Sequence, residues 1–175
     1  MKLTPTTHKF IVYWGKMGTQ WGINRTVAQI HALLYLSPEA LNAEEIIDIL
    51  QVARSNVSTS LKELTNWGIV KVVPKMGDRR EYYECLKDVC EMFRIIVEER
   101  KKREIDPTLS LIKECLAELD SSNKEEQYTR KRLKAFKEFF ESTTQWYDRV
   151  KMMPMDKLMG LVKLEQKINT ILKKK

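Results

Sequence analysis

At Gly68 the spacing of apolar residues changes from helical to alternating, and that change limits the folds open to this chain. Before it, RSNVSTSLKELTNWG places Val57, Leu61 and Leu64 at i, i+4 and i+7, the stripe with which a helix meets a core. After it, IVKVVPK (69–75) and RREYYECL (79–86) are rich in β-branched and aromatic residues and are joined by Met76-Gly77-Asp78. This pattern predicts a hairpin with a tight, glycine-containing tip. Pro74 cannot donate to a ladder, so the first strand is expected to lie at an edge or to end there.

The elements upstream complete the pattern. Asn24 is placed to cap a helix over RTVAQIHALLYLS, with Val27, Ile30, Leu33 and Leu34 buried and Ser37-Pro38 closing it. Asn42-Ala-Glu-Glu45 approximates a capping box for a short helix that turns Ile46, Ile47 and Leu50 inward. Only Gln51-Val52-Ala53 separates it from the helix at 54–67, which Gly68 stops. Two short helices joined by a tight turn and followed by a hairpin make a winged helix-turn-helix. The predicted fold is therefore mainly α with a small β-hairpin wing, extended by helices on both sides.

The outer face of the 54–67 helix is unusual. It carries Ser55, Thr59, Lys62 and Asn66, with Asn56, Ser58 and Glu63 at its margins. Helices that face only water favour Glu, Lys, Gln, Arg and Ala, because short hydroxyl and amide side chains compete for backbone hydrogen bonds. In the major groove the same short side chains let a helix come close, and each donates and accepts hydrogen bonds. Arg54 and Lys62 reach phosphates or guanine edges. The competing explanation is a solvated helix that happens to be serine-rich. Charge favours DNA: residues 54–80 hold six basic residues (Arg54, Lys62, Lys71, Lys75, Arg79, Arg80) and two acids, whereas 39–48 holds four acids and no base. Lys75, Arg79 and Arg80 flank the wing tip, where a minor groove of negative potential attracts them.

The remainder reads as helix. FIVYWGKMGTQW (10–21) is expected to be helical but loosened by Gly15 and Gly18, behind a flexible lead-in at Pro5. Beyond Asp88, Val89, Met92, Phe93 and Ile96 form a stripe, Asp106-Pro107 marks a helix boundary, and Leu109, Ile112, Leu116 and Leu119 continue the pattern. A loop is expected at 120–127, a basic helix at 128–150, and after Pro154 a last helix with Leu158, Leu161, Leu164, Ile168 and Leu172. The segments are assigned as 1–21 (N-terminal helix contributing to dimerisation), 22–87 (winged helix-turn-helix DNA-binding domain) and 88–175 (helical dimerisation and C-terminal extension).

WGINRT, SNVSTSLKEL, WGIVKVV and GDRREYYE resemble the GbsR branch of the MarR family of transcriptional regulators, over about 12–120. RKKREIDPTLSLI is similar to that family's linker region. The resemblance implies a homodimer on a palindromic operator of double-stranded DNA, with helices from both chain ends packed as the dimerisation unit. Ala53 departs from the Ser or Thr that often caps the second helix in relatives. The branch is associated with choline-type effectors, and a quaternary ammonium binds over aromatic faces. This makes Tyr13, Trp14 and Trp21 candidate ligand residues, with packing of the dimer interface as the alternative. Trp146 and Tyr147 form a second aromatic pair.

Other chemistries find little support. There is no Gly-rich phosphate loop, HExxH or GxSxG, and no catalytic residue, cofactor or metal site is predicted. Three cysteines (Cys85, Cys90, Cys115), no CxxC and no apolar stretch long enough to span a bilayer fit a reduced, cytoplasmic setting. A net charge of +7 suits an anionic partner. His31 borders the apolar stripe of its helix and is read as structural, as are the cysteines. The competing class is a winged-helix protein-interaction module that keeps the topology without binding DNA.

Overall fold

A computed structural model describes residues 3–119 and 124–153, together with Lys157 and Gly160. The expected leucine stripe at 158–172, Pro154 and the terminal lysines lie outside the described residues. The chain divides into two units, Met1–Ile96 and Val97–Lys175.

In the first unit α1 (Pro5–Gln20) packs against α2 (Arg25–Leu36), and α3 (Ala43–Leu50) and α4 (Arg54–Asn66) follow as the helix-turn-helix. The hairpin is β2 (Val70–Lys75) and β3 (Asp78–Cys85). A two-residue strand, β1 (Leu41–Asn42), joins the other edge of β3, so the sheet order is β1-β3-β2. Pro74 accordingly sits on an edge strand, beside a register irregularity between Val73 and Lys75. Gly68 and Gly77 have φ of +78° and +80°, the left-handed backbone that a helix stop and a tight tip require. The core joins α2, α3, α4 and the sheet through Ile30, Leu33, Leu34, Ile46, Val57, Leu64, Ile69 and Val70.

Several local expectations need correction. Pro5 does not belong to a flexible lead-in. It is in the first turn of α1, where its missing N–H costs nothing, and Thr4 caps the helix by accepting from the Thr7 amide. Gly15 and Gly18 do not loosen α1 either. Both are buried, and a Cβ at Gly18 would stand 2.5 Å from the Cβ of Ala28. The absent side chain is what lets α1 and α2 approach. The capping box at Asn42 is complete, with Asn42 accepting from the Glu44 and Glu45 amides and Glu45 accepting from the Asn42 amide. Gln51 makes the turn into α4 at φ 53°.

α5 (Val89–Arg100) is capped by Asp88, which accepts from the amides of Cys90 and Glu91. The helix boundary expected at Asp106-Pro107 does not break the chain. A five-residue π-helical segment, Lys101–Ile105, runs directly into α6 (Asp106–Glu118). The wider turn accommodates a proline that cannot donate and whose ring crowds the preceding carbonyls. In the second unit α7 spans Lys124–Lys151, so residues 124–127 of the expected loop are helical.

The close α1–α2 crossing makes a testable contrast. Gly18→Ala should cost about 1–3 kcal/mol, because Ala28 is backbone-anchored and cannot retreat. Gly15→Ala meets the side chains of Gln29 and Arg25, which can swing aside. Its helix-propensity gain of about 1 kcal/mol should leave it near wild type. Urea unfolding of both variants measures the difference.

Candidate nucleic-acid interface

α4 has two faces of different chemistry. Val57, Ser60, Leu61 and Leu64 are buried, and Arg54, Ser55, Asn56, Ser58, Thr59 and Lys62 are all exposed. The buried hydroxyl of Ser60 was not anticipated; it lies at the i+3 position from Val57 and joins the inner stripe. Ala53 occupies the N-cap and supplies no side-chain hydrogen bond, so the first-turn amides keep their positive end uncovered by a capping side chain.

The wing carries the remaining predicted contacts. Lys71 and Lys75 lie on β2 and Arg79 and Arg80 on β3, all exposed. Lys71 pairs with its cross-strand neighbour Glu84 at 3.4 Å. Arg79 forms no ion pair among the described residues. Arg80 is held firmly: its Nε donates to both Asp78 oxygens at 3.0 Å and its Nη2 donates to Asp78 Oδ2 at 2.5 Å. The Tyr82 hydroxyl donates to the same carboxylate at 2.8 Å, and Lys75 Nζ stands 5.0 Å from the Tyr82 ring centroid. The Arg80 guanidinium, through its hydrogen bonds, holds the Asp78 carboxyl well below the usual carboxylate range. The tip is therefore a braced platform rather than a loose loop.

One acid crosses the charge boundary that the sequence suggested. Glu44, in the first turn of α3, lies 3.4 Å from Arg54 and 3.9 Å from Arg80. It stands between the start of α4 and the wing and neutralises part of both. Sequence separation hid it, because Glu44 is ten residues from Arg54 and comes near Arg80 only once β1 pairs with β3.

The candidate ligand residues do not converge. Trp14 and Trp21 meet edge to face at 6.2 Å and, with His31 and Trp67, line a cavity of about 30 Å³. Such a volume holds about one water, far below the roughly 300–1,000 Å³ of ligand pockets. Tyr13 instead lines an open groove on α1 beside Phe10 and Val12. The three rings form no common cage. Among the described residues no group of His, Cys, Asp and Glu could hold a metal, and no helix is long and apolar enough to cross a membrane. Cys85 is buried, and burial pushes its thiol up to about 11, which leaves it unreactive as a thiolate.

A helix-turn-helix followed by a basic hairpin, with a hydroxyl-rich outer face on the second helix, defines the winged helix-turn-helix class. The MarR family model matches residues 21–81, the span from the α1–α2 turn to the middle of β3, about a third of the chain. A curated relative, the HTH-type transcriptional repressor GbsR of Bacillus subtilis (strain 168), is 26% identical over 99 residues, covering 57% of this chain and 54% of the relative. The match thus spans about half of that relative's length. A crystal structure of a transcriptional regulator is similar with a TM-score of 0.66 at 19% identity, covering 84% of this chain and 96% of the other, a likeness of fold.

His31 is a buried titratable group whose protonation opposes folding. Trp14 Nε1 donates to His31 Nδ1 at 3.2 Å, which assigns the ring proton to Nε2, 2.8 Å from Met92 Sδ. Burial lowers the His31 pKa from 6.5 to about 4. As pH falls below 6.5 the unfolded chain takes up a proton that the folded chain refuses, so stability drops until about pH 4. The loss should be on the order of 3 kcal/mol. Unfolding free energies of wild type and His31→Asn, measured from pH 7.5 to 4, should converge by that amount as pH falls.

Proposed function

We propose that this chain is a sequence-specific DNA-binding transcriptional regulator that acts as a homodimer on a palindromic operator. The carrying observation is α4, where one face is entirely core and the other presents Arg54, Ser55, Asn56, Ser58, Thr59 and Lys62 together to solvent. A helix of this shape in a groove about 12 Å wide can read base edges with its short side chains and phosphates with its cations. Lys71, Lys75, Arg79 and Arg80 on the wing then hold phosphates or the adjacent minor groove. Asp78 and Tyr82 fix the Arg80 guanidinium before DNA arrives, which reduces the entropy lost on binding. The relative's name, a helix-turn-helix repressor, supports the same reading. The exposed Phe10, Val12 and Tyr13 of α1 offer apolar surface for the second subunit.

Titration of duplex DNA at several salt concentrations tests this directly. The wild-type affinity should fall steeply with salt, and Arg79→Ala/Arg80→Ala should lower the slope by about one to two. Removing the charge that competes with phosphate, by Glu44→Gln, should tighten binding by about two- to fivefold at low salt. Wild-type protein that binds no duplex even at low salt would end the regulator reading.

A further inference from the structure

The wing tip carries an apolar side chain in the middle of its charge. Met76, between Lys75 and Gly77, is fully exposed, and Val72 on the strand that leads to it is 46% exposed. A lone methionine on a protein surface is ordinary. This one stands among cations, because Lys75 precedes it and Arg79 and Arg80 follow it, all three exposed.

The mount beneath Met76 is stiff. Lys75 pairs with Asp78 directly behind the turn, and Gly77 takes the left-handed backbone at φ +80°. Asp78 is tied in turn to Arg80 and to the Tyr82 hydroxyl on the returning strand. The register irregularity between Val73 and Lys75 bends the strand just before the tip. A loose loop would let the methionine fold back onto Val72 or Tyr82, whereas this one leaves it standing clear of the protein.

A partner that takes Met76 has to be apolar at the point of contact and anionic on either side of it. The minor groove of DNA has that layout. Its two phosphate rows meet cations, and the gap between adjacent base pairs accepts an apolar wedge. Methionine is unbranched and polarizable, so it enters a narrow gap between stacked faces. A wedge has to unstack the step it enters, and pyrimidine–purine steps (TA and CA/TG) unstack most readily.

We propose that Met76 is a DNA wedge, which inserts at a pyrimidine–purine step in the minor groove beside the site read by α4 and kinks the duplex there. Lys75, Arg79 and Arg80 hold the phosphates around that step. Sequence is thereby selected at a position that no polar side chain reads. The proposal rests on the DNA-binding function proposed above and adds to it a specificity residue and the class of sequence it selects.

The test uses the full chain and duplexes that the wild type selects from a random pool of double-stranded DNA. These should carry a TA or CA/TG step at a constant distance from each half-site. 2-Aminopurine in place of the adenine of that step reports unstacking as a rise in fluorescence. Wild type and Met76→Leu should raise the signal, and Met76→Ala should leave it at the level of free duplex. Replacing the selected step by AA should weaken wild-type binding at least about fivefold and Met76→Ala binding hardly at all. The salt slope should stay the same in both proteins, since no charge is removed. Equal urea midpoints show that the exposed substitution leaves the fold intact. A selected pool without such a step, no fluorescence rise with wild type, or full discrimination by Met76→Ala overturns the wedge while DNA binding stands. Association without DNA that Met76→Ala abolishes, with discrimination at the step retained, makes the tip a protein contact and also overturns it. Wild type that binds no duplex removes both readings.

Discussion

A helix surrounded on nearly every side has to be apolar nearly all round, and α2 is the element that meets this demand. Val27, Ala28, Ile30, His31, Ala32, Leu33 and Leu34 are all buried, and α1, α3, α4 and β3 all pack on it. Its burial fixes where α4 can lie and therefore which face of α4 is left for solvent. Its C-terminus is tied down from a distance. Lys87 Nζ donates to the carbonyls of Leu34, Tyr35 and Ser37, each at 2.8 Å. A charged donor on the final carbonyls of a helix also complements its dipole. Because Lys87 lies two residues beyond the end of β3, this clamp also fixes the root of the wing against the helical core.

The proposed DNA surface follows from that arrangement. With one side of α4 committed to the α2 core, Ser55, Asn56, Ser58 and Thr59 face outward, and Ser60 alone of its serines is buried. The wing adds cations, of which Arg80 is held by Asp78 and Lys75 lies over the Tyr82 ring. In the proposed surface Glu44 lies near two of the cations, Arg54 and Arg80. On the proposed reading, an acid between two arginines weakens non-specific attraction to phosphate more than hydrogen-bond readout of bases.

Some of this was legible in the chain, and the reasons differ by element. The two faces of α4 and the hairpin could be read because each depends on local periodicity and a glycine at a fixed place. The capping box at Asn42 was readable for the same reason. β1 was not, since two residues become a strand only when β3 offers an edge. Gly15 and Gly18 signal flexibility in sequence, yet here they serve a close helix crossing that depends on Ala28 and Gln29 of another element. Glu44 and Lys87 act across 10 to 53 residues, beyond any periodic pattern. Tyr13 and Trp14 are adjacent in sequence, and positions one apart on a helix diverge by about 100°, so the two rings point different ways.

The central claim is that α4 reads DNA as one of two symmetric copies. Hydroxyl-radical footprinting on a duplex selected from a random pool addresses it most directly. The account predicts two protected tracts related by a dyad, with centres about 34 Å, one helical turn, apart. A single unsymmetric tract, or protection that does not depend on sequence, would contradict it.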